Sequence, residues 1–407
     1  MVDLTRHERQ GETPVNPYSL LEAVNNSSQT AHTAWLIFLG VMAYLTIAVA
    51  GVTHKDLLLE TPVSLPILQV DIQLRQFFQF APVVLVLMHV GLVSQLALLA
   101  RETLEFDASI RLIEATDKRT HPLRLELNNF FYVQAIAGPH RSRVMSAFLY
   151  GMSWLTLVAL PVLLLLYVQV VFLPYHDAGI TWIHRAALIA DVVMLISIGV
   201  FLLRAEASFP QALMRSTRAH PVSFLVTTLV LLFVGLFSFL FATVPGEALD
   251  RFTQRTFGLE SDDNPSRRAR LVRGYAVPFL ASGPDGALLG IFKRNLEVMD
   301  TDLVLDSAQR PGEPSLNLRG RDLRFAKLDR SDLHQADFTG ADLTGASLVG
   351  AELRGAWMQC ADIMRLVVGG DREGAECTHA RRATLTRARL DGAHLAGIDL
   401  TGANLAE

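Results

Sequence analysis

Long apolar runs occupy the chain up to about residue 245, and a beat of five residues replaces them from about residue 315 onward. A helix needs roughly 20 consecutive apolar residues to cross a bilayer core about 30 Å thick, because each backbone polar group must be satisfied inside the segment. Five stretches meet that condition: 34–52, 77–100, 144–173, 186–203 and 222–244. The third carries Pro161 in its middle and no charged break, which predicts one kinked or tilted helix rather than two. The residues ahead of the first stretch are polar, with no apolar run behind a charged start, so the first stretch is expected to remain as an anchor. Between the second and third, residues 101–143 read as a solvated, membrane-facing loop. Its part 102–115 alternates as a short amphipathic helix on Leu104, Phe106, Ile110 and Ile113.

Past residue 315 the large apolar residues recur every fifth position: Leu318, Leu323, Leu328, Leu333, Phe338, Leu343, Leu348, Leu353, Met358 and Ile363. After a break they resume at Leu385, Leu390, Leu395, Leu400 and Leu405. Two positions earlier stands a small residue, most often Ala, as in Ala336, Ala341 and Ala346. A period of five fits neither the helix repeat of 3.6 nor the strand repeat of 2. A chain of five-residue units must turn a corner in each unit if every large residue is to be buried. The Asp and Asn between the two inward positions are suited to hydrogen-bond the corner backbone, and glycines such as Gly345 suit the bend. Arg321, in an inward position, points to an incomplete first coil. Residues 364–382 break the beat and read as a surface loop, either a partner site or a tolerated insertion.

The stretch 245–314 joins the two halves. It is polar around Asp262 and Asp263, and its runs Leu288-Leu289-Gly290-Ile291-Phe292 and Leu296-Glu297-Val298-Met299 read as short strands in a small β-rich segment. The domain plan is thus a tail at 1–32, a helical membrane domain at 33–244, this linker, and a repeat domain at 315–407.

Composition agrees with that plan: 51% of residues are hydrophobic and 19% charged, with a net charge of -4, which excludes a disordered chain and a basic nucleic-acid binder. Charge also sets orientation. Arg6, Arg9, Arg101, Arg111, Lys118, Arg119, Arg124, Arg141, Arg143, Arg204, Arg215 and Arg218 flank one side, against Lys55, Arg75, Arg185, Arg251 and Arg255 on the other. Lys and Arg accumulate on the cytoplasmic side. The N-terminus is therefore expected in the cytoplasm and the repeat domain outside it. The cluster Arg267, Arg268, Arg270 and Arg273 lies beyond the window in which basic residues decide orientation.

Ionisable groups inside a membrane segment are costly and usually face a partner in the bundle. His89 in the second segment and Asp191 in the fourth are candidates for such a pair, with Gln169 a third polar group. Either they brace helices, or they line an ion or proton path. The two cysteines, Cys360 and Cys377, flank the break in the beat. Two buried free thiols are the favoured reading, and a bridge is the alternative if the domain is extracytoplasmic. Neither P-loop, nucleophile elbow, H-E-x-x-H pair nor paired C-x-x-C is present, so no catalysis, metal or cofactor is expected. No role is assigned to Tyr175-His176-Asp177.

The runs Ala336-Asp337-Phe338-Thr339-Gly340, Ala341-Asp342-Leu343-Thr344-Gly345 and Ala403-Asn404-Leu405 resemble the A-(D/N)-L-x-x unit of the pentapeptide repeat family. The membrane half, with Leu65-Pro66-Ile67 and Phe77-Phe78 ahead of the second segment, is similar to the multispanning region of some bacterial members. The resemblance implies an α + β chain: five transmembrane helices followed by a right-handed quadrilateral β-helix with four repeats per coil. It also implies an inner-membrane location and a homodimer paired through coil ends. A solenoid wall offers a regular surface and no pocket. The expected function is therefore a membrane-held platform for a protein partner, through the wall or the 364–382 loop. The alternative is a channel- or transporter-like protein assembled or regulated by its repeats. A near balance of acidic and basic residues in the repeats speaks against a nucleic-acid-related role.

Overall fold

The computed structural model describes residues 16–65, 69–117, 121–139, 142–202, 221–257, 287–288, 292–304, 314–360 and 377–406. Arg6 and Arg9, the basic segment 204–218, the cluster 267–273, and Ile363 with residues 364–376 lie outside the described residues. Among those described, five helices are long and apolar enough to cross a membrane: Pro17–Ala50, Leu74–Arg111, Arg143–Tyr175, Ala178–Ile198 and Phe224–Phe241. The chain divides into two compact units, the first holding residues 1–46, 81–165 and 187–234, the second the remainder.

Helices dominate the first unit: most of α1 (Pro17–Ala50) and α3 (Leu74–Asp117), all of α4 (Phe131–Ala137) and α5 (Arg143–Trp154), and much of α7 (Ala178–Leu202) and α8 (Pro221–Leu236). Indole N–H groups join helices across the unit. Trp35 donates to Thr156 Oγ1 at 3.3 Å, and Trp154 donates to Thr227 Oγ1 at 2.9 Å. Such bonds tie neighbouring helices together side chain to side chain. The segment 101–117 is helical, as the amphipathic pattern over 102–115 predicts, but it is not a separate short helix within a loop. It continues α3 without a break, making one helix of 44 residues. The reason is Arg124, which is buried and donates to Asp107, to both carboxylate oxygens of Glu114, and to the Ala137 carbonyl at 2.7–3.0 Å. This clamp, with Phe106 and Ile110 fully buried, gives the helix a packed inner face where a solvated loop was expected.

The third span runs through α5, a π-helical turn at Leu155–Ala159 and α6 (Leu160–Phe172). Pro161 sets the place of that turn. Its ring crowds the carbonyl four residues back, that of Leu157, and it has no N–H to offer it. A second π turn, Phe237–Phe241, follows α8.

In the second unit, α2 (His54–Leu59) starts on a capping box of Thr53 and Asp56. The short strands β1 (Val63–Leu65) and β2 (Val70–Ile72) pair antiparallel. The segment expected as a β-rich linker instead holds α9 (Ala248–Phe257), a two-residue hairpin of β3 (Ala287–Leu288) and β4 (Phe292–Lys293), and the opening of the repeat domain. Glu297 pairs in parallel with Lys327, and Asp302 with Asp332. Leu296–Val298 and Thr301–Leu303 are therefore two repeat units beneath those the sequence reveals, and they complete the first coil that Arg321 made look incomplete. Only two units precede an insertion here, too few to establish a beat.

From there the chain climbs in square coils. Parallel bridges stack Asn317 under Asp337, Trp357 and His394, and Asp322 under Asp342, His379 and Asp399. Central residues form four inward columns. One holds Leu318, Phe338, Met358 and Leu395; the next holds Leu323, Leu343, Ala380 and Leu400. Leu323, Leu328, Leu333, Phe338, Leu343, Leu348 and Leu353 are fully buried. The Asp between the inward positions accepts from the backbone N–H two residues on, as at Asp337 to Thr339 (2.9 Å) and Asp342 to Thr344 (3.0 Å). This is the Asx turn, and it marks the corners that carry Asp or Asn at this position. The β-helix resumes after its interruption at Thr378–Ala380, one unit before Leu385. Ala380 in place of Leu hid that unit from the periodic pattern. Thr378 is fully buried and donates to the carbonyls of Phe338 and Gln359, closing the wall where the insertion leaves it.

Each corner turns through a left-handed residue, such as Gly345 at φ +69°. A Cβ there would stand 2.7 Å from the ring of Phe325 in the coil below, so any other residue would have to displace that ring. One corner is closed differently. Cys360 and Cys377 form a disulfide across the neck of the insertion, in place of the two free thiols favoured from sequence. Their side chains approach because the last residue before the insertion and the first after it belong to adjacent faces of one coil. Gly397 lies over this bridge, and a Cβ on it would come within 2.5 Å of Cys360 Sγ. Replacing both cysteines by Ser is expected to cost about 3 kcal/mol by the loop-entropy argument for a closure of this size. Thermal unfolding with and without reductant checks this: the wild type should fall to the variant's midpoint when reduced, and the variant should not move.

Candidate functional site

The candidate intramembrane residues fall into separate units. His89 of α3 and Asp191 of α7 meet in the first: His89 Nδ1 lies 2.6 Å from Asp191 Oδ1, and both side chains are fully buried. His89 Nε2 is 3.1 Å from the Leu157 carbonyl, the oxygen that Pro161 leaves without its helical donor. Phe38 of α1 stacks on the imidazole at 5.0 Å. Gln169, in the second unit, has no part in this group. It donates to the Ser238 and Ala242 carbonyls at 3.1 and 2.9 Å and accepts from Ser238 Oγ at 2.6 Å. Those carbonyls belong to the second π turn and its end, where α-helical pairing lapses.

Most of the polar chemistry of the second unit was not anticipated. Arg185, counted in the sequence as a loop residue, is fully buried in α7. It grips Glu247 with two nitrogens at 2.5 and 3.1 Å and reaches the Ala242 carbonyl at 3.3 Å. Its guanidinium lies over Trp182 at 4.9 Å. Arg294, just ahead of the first coil, donates to Asp250 of α9 at 2.6 Å and to the Thr243 carbonyl at 3.0 Å. Buried charges persist only when paired and hydrogen-bonded in this way.

Above them the β-helix is seated on the loops between helices. Arg321 occupies an inward-type position but does not enter the core. It turns out to α2, donating to the Leu57 and Leu58 carbonyls and to Glu60 Oε1 at 3.0–3.3 Å, and it covers the ring of Tyr175 at 4.2 Å. The α2 carbonyls it meets are the orphan acceptors of a helix C-terminus. Tyr175 donates to the same Glu60 at 2.5 Å. His176, buried and left-handed at φ +62°, places Nε2 3.2 Å from the Arg294 carbonyl and from Asn295 Oδ1, and Nδ1 3.4 Å from Asp322. Asp177 pairs with Arg75 at 2.9 Å. The unassigned triplet Tyr175-His176-Asp177 is thus a hub. Its partners lie more than a hundred residues away, and no local spacing signals them.

Asp322 feels opposing influences. Burial raises its pKa, but the Arg324 guanidinium hydrogen-bonded to it and the His176 ring 3.4 Å away outweigh that and hold it well below the ordinary carboxylate range. A depressed carboxylate stabilises the fold above its unfolded pKa of about 3.9, and that contribution is lost as pH falls below it. The seat is therefore expected to loosen in acid before the β-helix core does.

The model for pentapeptide repeats matches residues 317–356 and 378–407, in eight copies. The second match starts at Thr378, where the coil resumes. Two solved structures are similar in part. HetL, a pentapeptide repeat protein involved in heterocyst differentiation regulation from the cyanobacterium Nostoc sp. strain PCC 7120, is 29% identical over 26% of this chain and 46% of its own, with a TM-score of 0.12. The chain thus spans about half of HetL. Rfr23, a pentapeptide repeat protein from the cyanobacterium Cyanothece 51142, is 22% identical over 28% of this chain and 68% of its own, with a TM-score of 0.10. No curated protein matches the chain.

Proposed function

We propose that this chain, whose C-terminal part carries pentapeptide repeats, is a multi-pass membrane protein that holds its β-helix firmly on the extracytoplasmic ends of its helices, as a non-catalytic platform for a protein partner. The carrying observation is the seat around Arg321, whose guanidinium fills the C-terminal carbonyls of α2 and stacks on Tyr175. A tethered but independent domain would need no such contacts. One further observation supports the outward orientation. The disulfide Cys360–Cys377 belongs to an oxidising compartment.

A reporter enzyme active only outside the cytoplasm, fused at Glu407, is expected to be active; silence, with a cytoplasmic reporter active at the same point, would reverse the orientation. Firm seating has its own test. Arg321→Ala is expected to raise hydrogen exchange at residues 54–60 and 174–177 of the full chain in nanodiscs. Unchanged exchange would show that the β-helix does not depend on this seat.

The His89–Asp191 pair favours a second reading, a channel- or transporter-like protein. Wild-type chain in vesicles is expected to leave proton and ion flux at background. A flux above background that Asp191→Asn abolishes would move the function to the membrane helices.

A further inference from the structure

We propose that His89 and Asp191 form a sealed proton-binding centre that braces the helices of the first unit. The argument begins at Leu157. A carbonyl oxygen only accepts, so the nitrogen facing it, His89 Nε2 at 3.1 Å, carries a hydrogen. Pro161 leaves that oxygen open to the ring, since it withholds the N–H that an α-helix would aim at it. A neutral imidazole with its hydrogen on Nε2 has only a lone pair on Nδ1. That lone pair would face a carboxylate oxygen at 2.6 Å, and two acceptors do not approach so closely without a proton between them. The two side chains together therefore hold two protons: the one on Nε2 and a second on the line between Nδ1 and Oδ1. This is one more than a neutral ring and an ionised carboxylate would hold.

The surroundings fit the extra proton. Whether the bridging proton resides on nitrogen or on oxygen, the pair carries no net charge, the condition for a group at 0% exposure among apolar helices. Among the described residues Asp191 Oδ2 has no hydrogen-bond partner, which a full carboxylate charge would make costly and a shared proton relieves. Phe38 covers one face of the ring. The ligand of this centre is the proton itself. By holding it, α3, α7 and the π turn of the third span are joined through one imidazole. With both side chains cut off from solvent, the centre stores the proton rather than relaying it. This inference does not depend on the platform reading or on orientation.

Solid-state NMR of the full chain in nanodiscs at neutral pH, with 15N-labelled histidine and His89→Gln to assign the signal, tests it. His89 is expected to show a hydrogen on Nε2 and a strongly deshielded proton bridging Nδ1 to Asp191, retained for hours in D2O. Asp191→Asn is expected to abolish the bridging resonance while Nε2–H persists. An Nδ1 without a proton in the wild type would overturn the proposal, and so would exchange of the bridging proton within minutes. The wild-type spectrum decides both points even if the variant does not fold.

Discussion

Replacing Arg185 by Ala is expected to destabilise the detergent-solubilised chain by about 3–5 kcal/mol, the range found when one partner of a buried ion pair is removed. The size follows from what remains. Glu247, itself nearly buried, loses both of its guanidinium bonds, and the Ala242 carbonyl loses one of its two side-chain donors. Gln169 still reaches the carbonyls of Ser238 and Ala242, so the π turn is not fully stripped, but nothing replaces the charge beside Glu247. Trp182 also loses the cation over its ring. The double variant Arg185→Leu with Glu247→Leu should recover most of the loss, because an apolar pair of suitable volume leaves no bare charge. Thermal unfolding of wild type, single and double variants separates the cases. A single variant as stable as wild type would mean that water or another cation reaches Glu247.

Within the repeats, Phe338→Ala is expected to cost about 3–5 kcal/mol, the ordinary price of a large cavity in a closed core. Phe338 is fully buried between Leu318 below and Met358 above, and its wall is fixed by backbone ladders on both sides, so the site has little room to collapse. Leu405→Ala is the contrast. Its repeat position is equivalent, yet its side chain is 50% exposed, and a change within about 0.5 kcal/mol is expected. Infrared amide I bands of the full chain, followed on heating, report the β-helix apart from the helices. Equal effects at the two positions would contradict the burial gradient along the stack.

These two residues also mark what the sequence could and could not disclose. Phe338 was legible as core because the five-residue beat depends only on neighbours in the chain. The same holds for the apolar runs of the spans, and for Pro161 as the irregular point of the third. Val298 and Leu303 escaped because Leu303 and Leu318 stand fifteen residues apart with no recognisable unit between them in the sequence. Ala380 escaped because a small central residue breaks the pattern while fitting the column. Arg185, Arg294, Arg321 and His176 were not legible at all as a group. Their pairing depends on which helix ends and coil the fold brings together, and a buried arginine looks like any loop arginine until its carboxylate is found. His89 and Asp191 were intermediate. Each stood out as an ionisable group in an apolar run, but the third member, the Leu157 oxygen, is a backbone atom that only the proline marks.

The disulfide neck has a practical consequence. At Cys360 and Cys377 the chain leaves and re-enters the wall with neighbouring ladder bonds already made, the Gly340 N–H donating to the Gln359 carbonyl and the Asp399 N–H to the Thr378 carbonyl. The square spiral therefore has a ready-made socket: a foreign peptide spliced between the two sulfurs would be cyclised on a stiff base, with the coils above and below left in register.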